Sequence, residues 1–305
     1  MIAAVTEQGE VAMRIGVFTP FSNPFATAAI IKAVGQAADR AGFASMWLPE
    51  HVVLFDEYGS NYPYSPDGKL AVPAESGLLE PFTTMGFLAA CTENIRIGTA
   101  ICLLPQRNPV YVAKEVSNLD YLSDGRINLG IGVGWLKEEF DVLNIDFARR
   151  GARTDEYIQI LKTLWCDPVS EFSGEFHQLP ACRMYPKPVQ SPHPLLYIGG
   201  ESDAALKRVA RLGQGWHGFN HTAETAAERI AKLSAYIAAE GRARSDVDVT
   251  VAVPMGLELS VDDVKRYRDA GVDQLTIPVF AADVDQAKDM IDALAETILT
   301  PAAAL

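Results

Sequence analysis

The sequence predicts an α/β protein built as a (β/α)8 TIM barrel with an insertion region and long βα loops. Three observations lead there. Strand-like and helix-like hydrophobic patterns alternate along nearly the whole chain and make eight strand–helix pairs. The length, 305 residues, slightly exceeds the roughly 250 residues typical of that barrel. A doubly wound open sheet, the competing architecture, would carry a Gly-rich turn after its first strand, and Thr19-Pro-Phe-Ser-Asn-Pro24 stands there instead.

The first strand, 14–19, leads into a helix over 26–41 that Gly42 stops. The second, 44–48, ends in Pro49-Glu50-His51 and opens into a loop, 52–80, rich in Gly, Pro, Tyr and Ser. A helix over 82–91 precedes the third strand, 95–100. Pro109 suits the first position of the next helix, which runs to 122, because no N–H is needed there. The fourth strand, 127–131, is followed by helical patterns through 165. Residues 166–194 read as irregular and hold six prolines. The fifth strand, 195–198, ends at Gly199-Gly200 before a helix over 203–212. The sixth strand (215–219), a helix (223–240), the seventh strand (247–253), a helix (261–270), the eighth strand (274–279) and a last helix (284–299) complete the pattern. The surplus length sits in 52–80 and 166–194; loops that long in a compact domain are commonly lids.

Lys and Arg total 26 against 39 Asp and Glu, a formal net charge of −13. Nucleic acid and anionic membrane both need a basic face, so neither is an expected partner. No run approaches the ~18–20 apolar residues of a membrane span. Residues 1–12 lack the basic start of a signal peptide and are expected to be a disordered tail, with a single barrel domain over 13–305. Cys91, Cys102, Cys166 and Cys182 are widely spaced and read as reduced thiols of a cytoplasmic protein.

In a parallel barrel the C-terminal strand ends form the functional face, and chemistry-bearing residues gather at those ends. Glu50-His51 follows the second strand; His has the side chain whose ordinary pKa best suits proton transfer, and the adjacent carboxylate could contact a cofactor or help fix local geometry. From Ile95 to Trp135, two apolar runs each break into small residues at their C-terminal ends, as the wall of a flat ligand's site would. Gly130-Ile-Gly-Val-Gly134 lacks the full dinucleotide spacing, and close packing of a ring against backbone explains it better. Gly199-Gly200-Glu201-Ser202-Asp203 joins strand to helix and reads either as a phosphate seat or as an ordinary helix cap. His217 and His221 form no zinc pattern, and no metal is expected. No Gly-x-Ser-x-Gly elbow is present. Trp135, just past a glycine turn, could line a substrate pocket.

Together these residues resemble the luciferase-like monooxygenase superfamily, specifically its deazaflavin (coenzyme F420)-dependent oxidoreductases. The resemblance rests on Trp47-Leu-Pro-Glu-His-Val52, Gly98-Thr-Ala-Ile101, Asn108-Pro-Val-Tyr-Val-Ala-Lys114, Leu119-Asp-Tyr-Leu-Ser-Asp-Gly-Arg126, Leu129-Gly-Ile-Gly-Val-Gly-Trp135, Arg150-Gly-Ala-Arg-Thr-Asp-Glu156 and Tyr197-Ile-Gly-Gly200. It implies a non-prolyl cis peptide at Ala100-Ile101 in a bulge behind the cofactor ring. It also implies cofactor contacts from Glu50, Thr99, Ala100, Ile101, Gly132, Val133 and Gly134, and a phosphate held at Gly199, Gly200, Glu201 and Ser202. His51, with Glu50, is the implied catalytic pair. Sugar-phosphate-oxidising relatives carry a carboxylate where this chain has Trp135. An apolar or aromatic substrate lying against Trp135, Tyr58 and Tyr62 is therefore expected, with Tyr64 nearby.

The leading expectation is hydride transfer between F420 and a small organic substrate, with His51 managing a proton. The rival within the superfamily is a reduced-FMN monooxygenase that uses O2 and a separate reductase. A non-catalytic cofactor-binding protein and a metal-dependent barrel hydrolase are the rivals of other classes. The resemblance further implies a homodimer.

Overall fold

Eight parallel strands close into a ring in the computed structural model, which describes residues 13–305; the tail expected at 1–12 lies outside the described residues. The strands in chain order are β1 (Arg14–Phe18), β2 (Ser45–Leu48), β3 (Arg96–Thr99), β4 (Cys102–Leu103), β5 (Ile127–Gly132), β6 (Ser170–Ser173), β7 (Gln178–Cys182), β8 (Leu195–Gly199), β9 (Gly215–Phe219), β10 (Asp248–Ala252) and β11 (Gln274–Pro278). Around the ring the order is β3-β2-β1-β11-β10-β9-β8-β5, and pairing of β3 with β5 closes it. The expected barrel is the observed fold.

Helices α1 (Ala28–Ala41), α2 (Pro81–Cys91), α3 (Pro109–Leu122), α4 (Lys137–Val142), α5 (Arg150–Cys166), α6 (Asp203–Leu212), α7 (Ala223–Ala239), α8 (Val261–Asp269) and α9 (Val284–Leu294) occupy the connections. Their starts are set locally. Thr27, Glu80, Asn108, Ser202, Thr222, Ser260 and Asp283 each accept a first-turn backbone N–H that has no partner within the helix. Pro109 is the first residue of α3, and Gly42 ends α1 in the left-handed region at φ 88°.

Alternation along the strands divides the core. Ile15, Val17, Ile97, Leu129, Ile131, Leu196, Ile198, Val249, Val251, Leu275 and Ile277 are buried against the helices. Each such side chain contributes about 1.5–3 kcal/mol by leaving water. Inside the ring, glycines face bulky neighbours. A Cβ on Gly98 would lie 2.8 Å from the Trp47 indole, and one on Gly215 would lie 2.1 Å from the Tyr197 ring. The interior is therefore a packed column, and function is confined to its mouth.

One expectation is corrected. Residues 166–194 are not wholly irregular, since β6 and β7 pair there as an antiparallel hairpin. Pro180 lies within β7 and argues against a strand in sequence; it is tolerated because a two-stranded hairpin has outer edges that need no ladder bond.

Candidate active site

Between β3 and β5 the register slips. Gly98 faces Asn128, but Cys102 faces Ile131, so four steps along one strand match three along the other. The extra residue makes a bulge at Ala100-Ile101, whose peptide bond is cis. The Ile101 side chain then points back between β5 and β8. A Cβ on Gly132 would lie 1.8 Å from Ile101 Cδ1, and one on Gly199 would lie 2.9 Å from it. A Cβ on Gly130 would lie 2.0 Å from the Thr99 carbonyl oxygen. Gly130 and Gly132 are thus glycine to admit the bulge, which corrects the reading that they make room for a flat ring.

Thr99, Gly132 and Gly199 are buried, and the Thr99 hydroxyl donates to the Gly130 carbonyl (2.7 Å). These three expected cofactor contacts build the wall from behind. Ala100, Ile101, Val133, Gly134, Gly200, Glu201 and Ser202 do reach the surface of the mouth.

Glu50 fixes local geometry, one of the two roles expected of it. Its Oε2 accepts the Leu103 N–H (2.6 Å), and its Oε1 accepts from Arg107, through Nε at 2.7 Å and also through Nη2. Arg107 in turn reaches Glu80 (2.7 Å). Burial works against the Arg107 charge, yet Glu50, Cys102 and Glu80 outweigh it and raise its pKa. Both Glu50 oxygens are engaged within the chain, so this carboxylate ties the end of β2 to the far side of the bulge.

His51 is held by a residue the sequence reading did not single out. Its Nδ1 lies 3.2 Å from Glu139 Oε2, and the Glu139 side chain has no exposed surface. Glu139 also accepts the backbone N–H groups of Val52 (2.7 Å) and Val53 (3.4 Å) and the Gln106 amide (3.0 Å). Burial would raise the Glu139 carboxyl, but His51, Gln106 and Val52 dominate and hold its pKa below the ordinary value. An ionised carboxylate only accepts, so the neutral ring carries its proton on Nδ1 and presents the Nε2 lone pair. The His51 ring meets the Trp135 indole edge-on at 5.8 Å.

Trp135 is the centre of an aromatic cluster. Tyr58 and Tyr62 meet it at 5.5 and 5.1 Å, and Tyr64 joins Tyr62 (5.4 Å) to Phe219 (5.1 Å). The loop after β2 therefore folds onto Trp135 and brings Tyr58 and Tyr62 together with it.

At the end of the neighbouring strand β8, Gly200 takes φ 107° and Ser202 caps α6 by accepting the Ala205 N–H (3.2 Å). The Glu201 carboxylate accepts the Phe219 N–H (3.1 Å) and lies 2.6 Å from His221 Nε2. His217 is instead inside the barrel, 4.8 Å from the Trp47 indole, and burial pushes its pKa down to about 4. Among the described residues no three His, Cys, Asp or Glu side chains converge as metal ligands.

The residues present fit a flat phosphorylated cofactor. Gly134 (φ 77°) and Gly200 leave bare backbone at the ends of adjacent strands. The buried Gln106 side-chain oxygen near Gly134 has no partner within the chain, an acceptor left for an incoming N–H. The first-turn amides of α6 supply donors for an anion. Glu138, Glu139, Gln106 and Arg107 were missed in sequence. Their signals were an acidic pair in the helical turn after Trp135 and a polar pair directly before Asn108-Pro109.

The family model described as luciferase-like monooxygenase matches residues 13–302. An uncharacterised protein of Mycobacterium tuberculosis is 35% identical over 244 residues, 80% of this chain and 83% of that one. An FMNH2-dependent dimethylsulfone monooxygenase of Pseudomonas putida is 30% identical over 54% of this chain and 46% of its own length. Among solved structures, an F420-dependent secondary alcohol dehydrogenase in complex with an F420–acetone adduct superposes with a TM-score of 0.73 at 18% identity, covering 96% of this chain and 99% of that one.

Proposed function

Because this chain belongs to the luciferase-like monooxygenase family, we propose that it is an oxidoreductase moving a hydride between coenzyme F420 and an apolar or aromatic organic substrate. The observation that carries this reading is His51, oriented by Glu139 and set against Trp135, the residue that follows the bare backbone of Gly134. When bound, a deazaflavin supplies two-electron hydride chemistry.

The chain's own residues do the rest. Gly200, Glu201 and Ser202 hold the phosphate through backbone N–H groups, and Ala100, Ile101, Val133 and Gly134 line the ring. His51 Nε2 takes up or releases the proton that balances the hydride, while Glu139 fixes the orientation of the ring through Nδ1. Trp135, Tyr58 and Tyr62 bind the organic substrate and exclude water. Glu50, clamped by Arg107 and Leu103, anchors the wall.

A second reading is a reduced-FMN monooxygenase with a partner reductase, favoured by the similarity to the dimethylsulfone enzyme. Titration of the purified protein with each cofactor separates the two. The expected result is tight binding of F420 and weak binding of FMN. The reverse order supports the monooxygenase, and no binding of either overturns the family-based reading of the site. We further propose a cytoplasmic homodimer. Among the described residues no helix is long and apolar enough to cross a membrane.

A further inference from the structure

We propose that Glu138 is a positioning residue that builds the substrate pocket: it holds the 58–70 segment down so that Tyr58 and Tyr62 cover Trp135. This rests on the reading of Trp135, Tyr58 and Tyr62 as that pocket.

The segment is closed on itself. The Leu70 N–H donates to the Tyr58 hydroxyl (2.8 Å), Lys69 Nζ to the Tyr58 carbonyl (3.0 Å), and the Tyr62 N–H to the Gly68 carbonyl (2.8 Å). The Lys69 ammonium also lies over the Tyr58 ring at 4.2 Å. A unit bound this way moves as a body, so its placement is decided where it meets the barrel. There Glu138 supplies the strongest tie. One carboxylate oxygen accepts the N–H groups of Gly59 (2.7 Å) and Ser60 (3.2 Å), and the other accepts the Ser60 hydroxyl (2.6 Å). The Lys137 N–H donates to that hydroxyl at 2.9 Å, and Asn220 reaches the Tyr64 carbonyl only at 3.5 Å.

Bonds to an ionised acceptor are roughly twice as strong as neutral ones, and among the described residues no cation pairs with Glu138, since Lys137 pairs with Asp141. The alternative, that Glu138 merely offsets the α4 dipole, does not account for both oxygens turning onto the loop. Two adjacent carboxylates on one helical turn thus divide the mouth. Glu139 seats the proton carrier, and Glu138 seats the aromatic wall. The pocket so formed suits a planar, uncharged ring, because Glu138, Glu139 and Glu201 all have partners within the chain.

Acrylamide quenching of tryptophan fluorescence tests this without a substrate. Trp47, Trp165 and Trp216 are 0, 2 and 0% exposed, so the quencher reports on Trp135. Glu138→Ala should raise the quenching constant about threefold or more and speed tryptic cleavage after Lys69 about tenfold. Glu138→Gln, which keeps one acceptor oxygen, should fall between, and circular dichroism verifies that both variants fold. Wild-type quenching and cleavage in Glu138→Ala overturn the proposal, as does a quenchable signal that survives Trp135→Phe. FMN and F420 binding to the wild type is measured in parallel. Binding of neither, with the Glu138→Ala changes seen, sinks the proposed function and leaves the anchor standing; binding without those changes does the reverse.

Discussion

Gly132→Ala should destabilise this protein because of one side chain, and trimming that side chain should restore it. The new methyl would lie 1.8 Å from Ile101 Cδ1 and 2.9 Å from Cγ1. Ile101 also lies close against the glycine backbone of the neighbouring strands, which narrows its retreat on that side. The Cβ site of Gly199 is 2.9 Å from both its Cδ1 and Cγ2, and that of Gly130 is 3.4 Å from Cγ2. Overpacking of this kind costs about 1–3 kcal/mol, which for a chain of this length lowers Tm by roughly 2–5 °C. Ile101→Val alone, which removes the clashing Cδ1, should cost about 0.5–1.5 kcal/mol. Combined with Gly132→Ala, the two losses should fail to add by about 1 kcal/mol or more, read as a double-mutant cycle in urea. Gly130→Ala gives the contrast. Its methyl meets the Thr99 carbonyl oxygen at 2.0 Å, and no side-chain trimming relieves a backbone clash. A wild-type Tm for Gly132→Ala, with only cofactor binding lost, would refute the reasoning and return Gly132 to the ring of a ligand. Strict additivity with Ile101→Val would refute it as well.

The other expectations concern the histidines. Glu139→Gln puts an N–H donor where His51 Nδ1 and the Gln106 amide both need an acceptor. The neutral His51 ring should then move its proton to Nε2, visible in 15N NMR, and turnover should fall about 10–100-fold with cofactor affinity kept; an unchanged tautomer counts against the pairing. His51→Ala should lower turnover with cofactor affinity largely intact, and an unchanged kcat removes His51 from the mechanism. Burial depresses the pKa of His217 from 6.5 to about 4, so the unfolded chain binds that proton first. Stability should therefore fall as pH drops from about 6.5 to 4, by up to about 3 kcal/mol. His217→Phe should flatten that part of the urea-midpoint profile, and a slope unaltered by the substitution argues against a neutral buried imidazole.

The eight-strand barrel was legible in the sequence because each strand buries an alternating apolar face and seven of the nine helix starts from α1 to α9 carry a side-chain cap, both local signals. The hairpin at 170–182 was hidden by Pro180, which a two-stranded edge tolerates. His51 and Trp135 could be singled out because strand ends in this fold point at one mouth. Their partners could not. Glu139 is 88 residues from His51, and Glu138 is 79 from Gly59; such pairings depend on how the ring closes and leave no periodicity in the chain. The same limit explains the glycines. Sequence alone determined that small residues crowd the ends of β5 and β8, and the family resemblance located a bulge beside them. Only the tertiary structure decided that Ile101, rather than a ligand, fills the space at Gly132, because close approach between strands is settled by a register slip that neither strand encodes by itself.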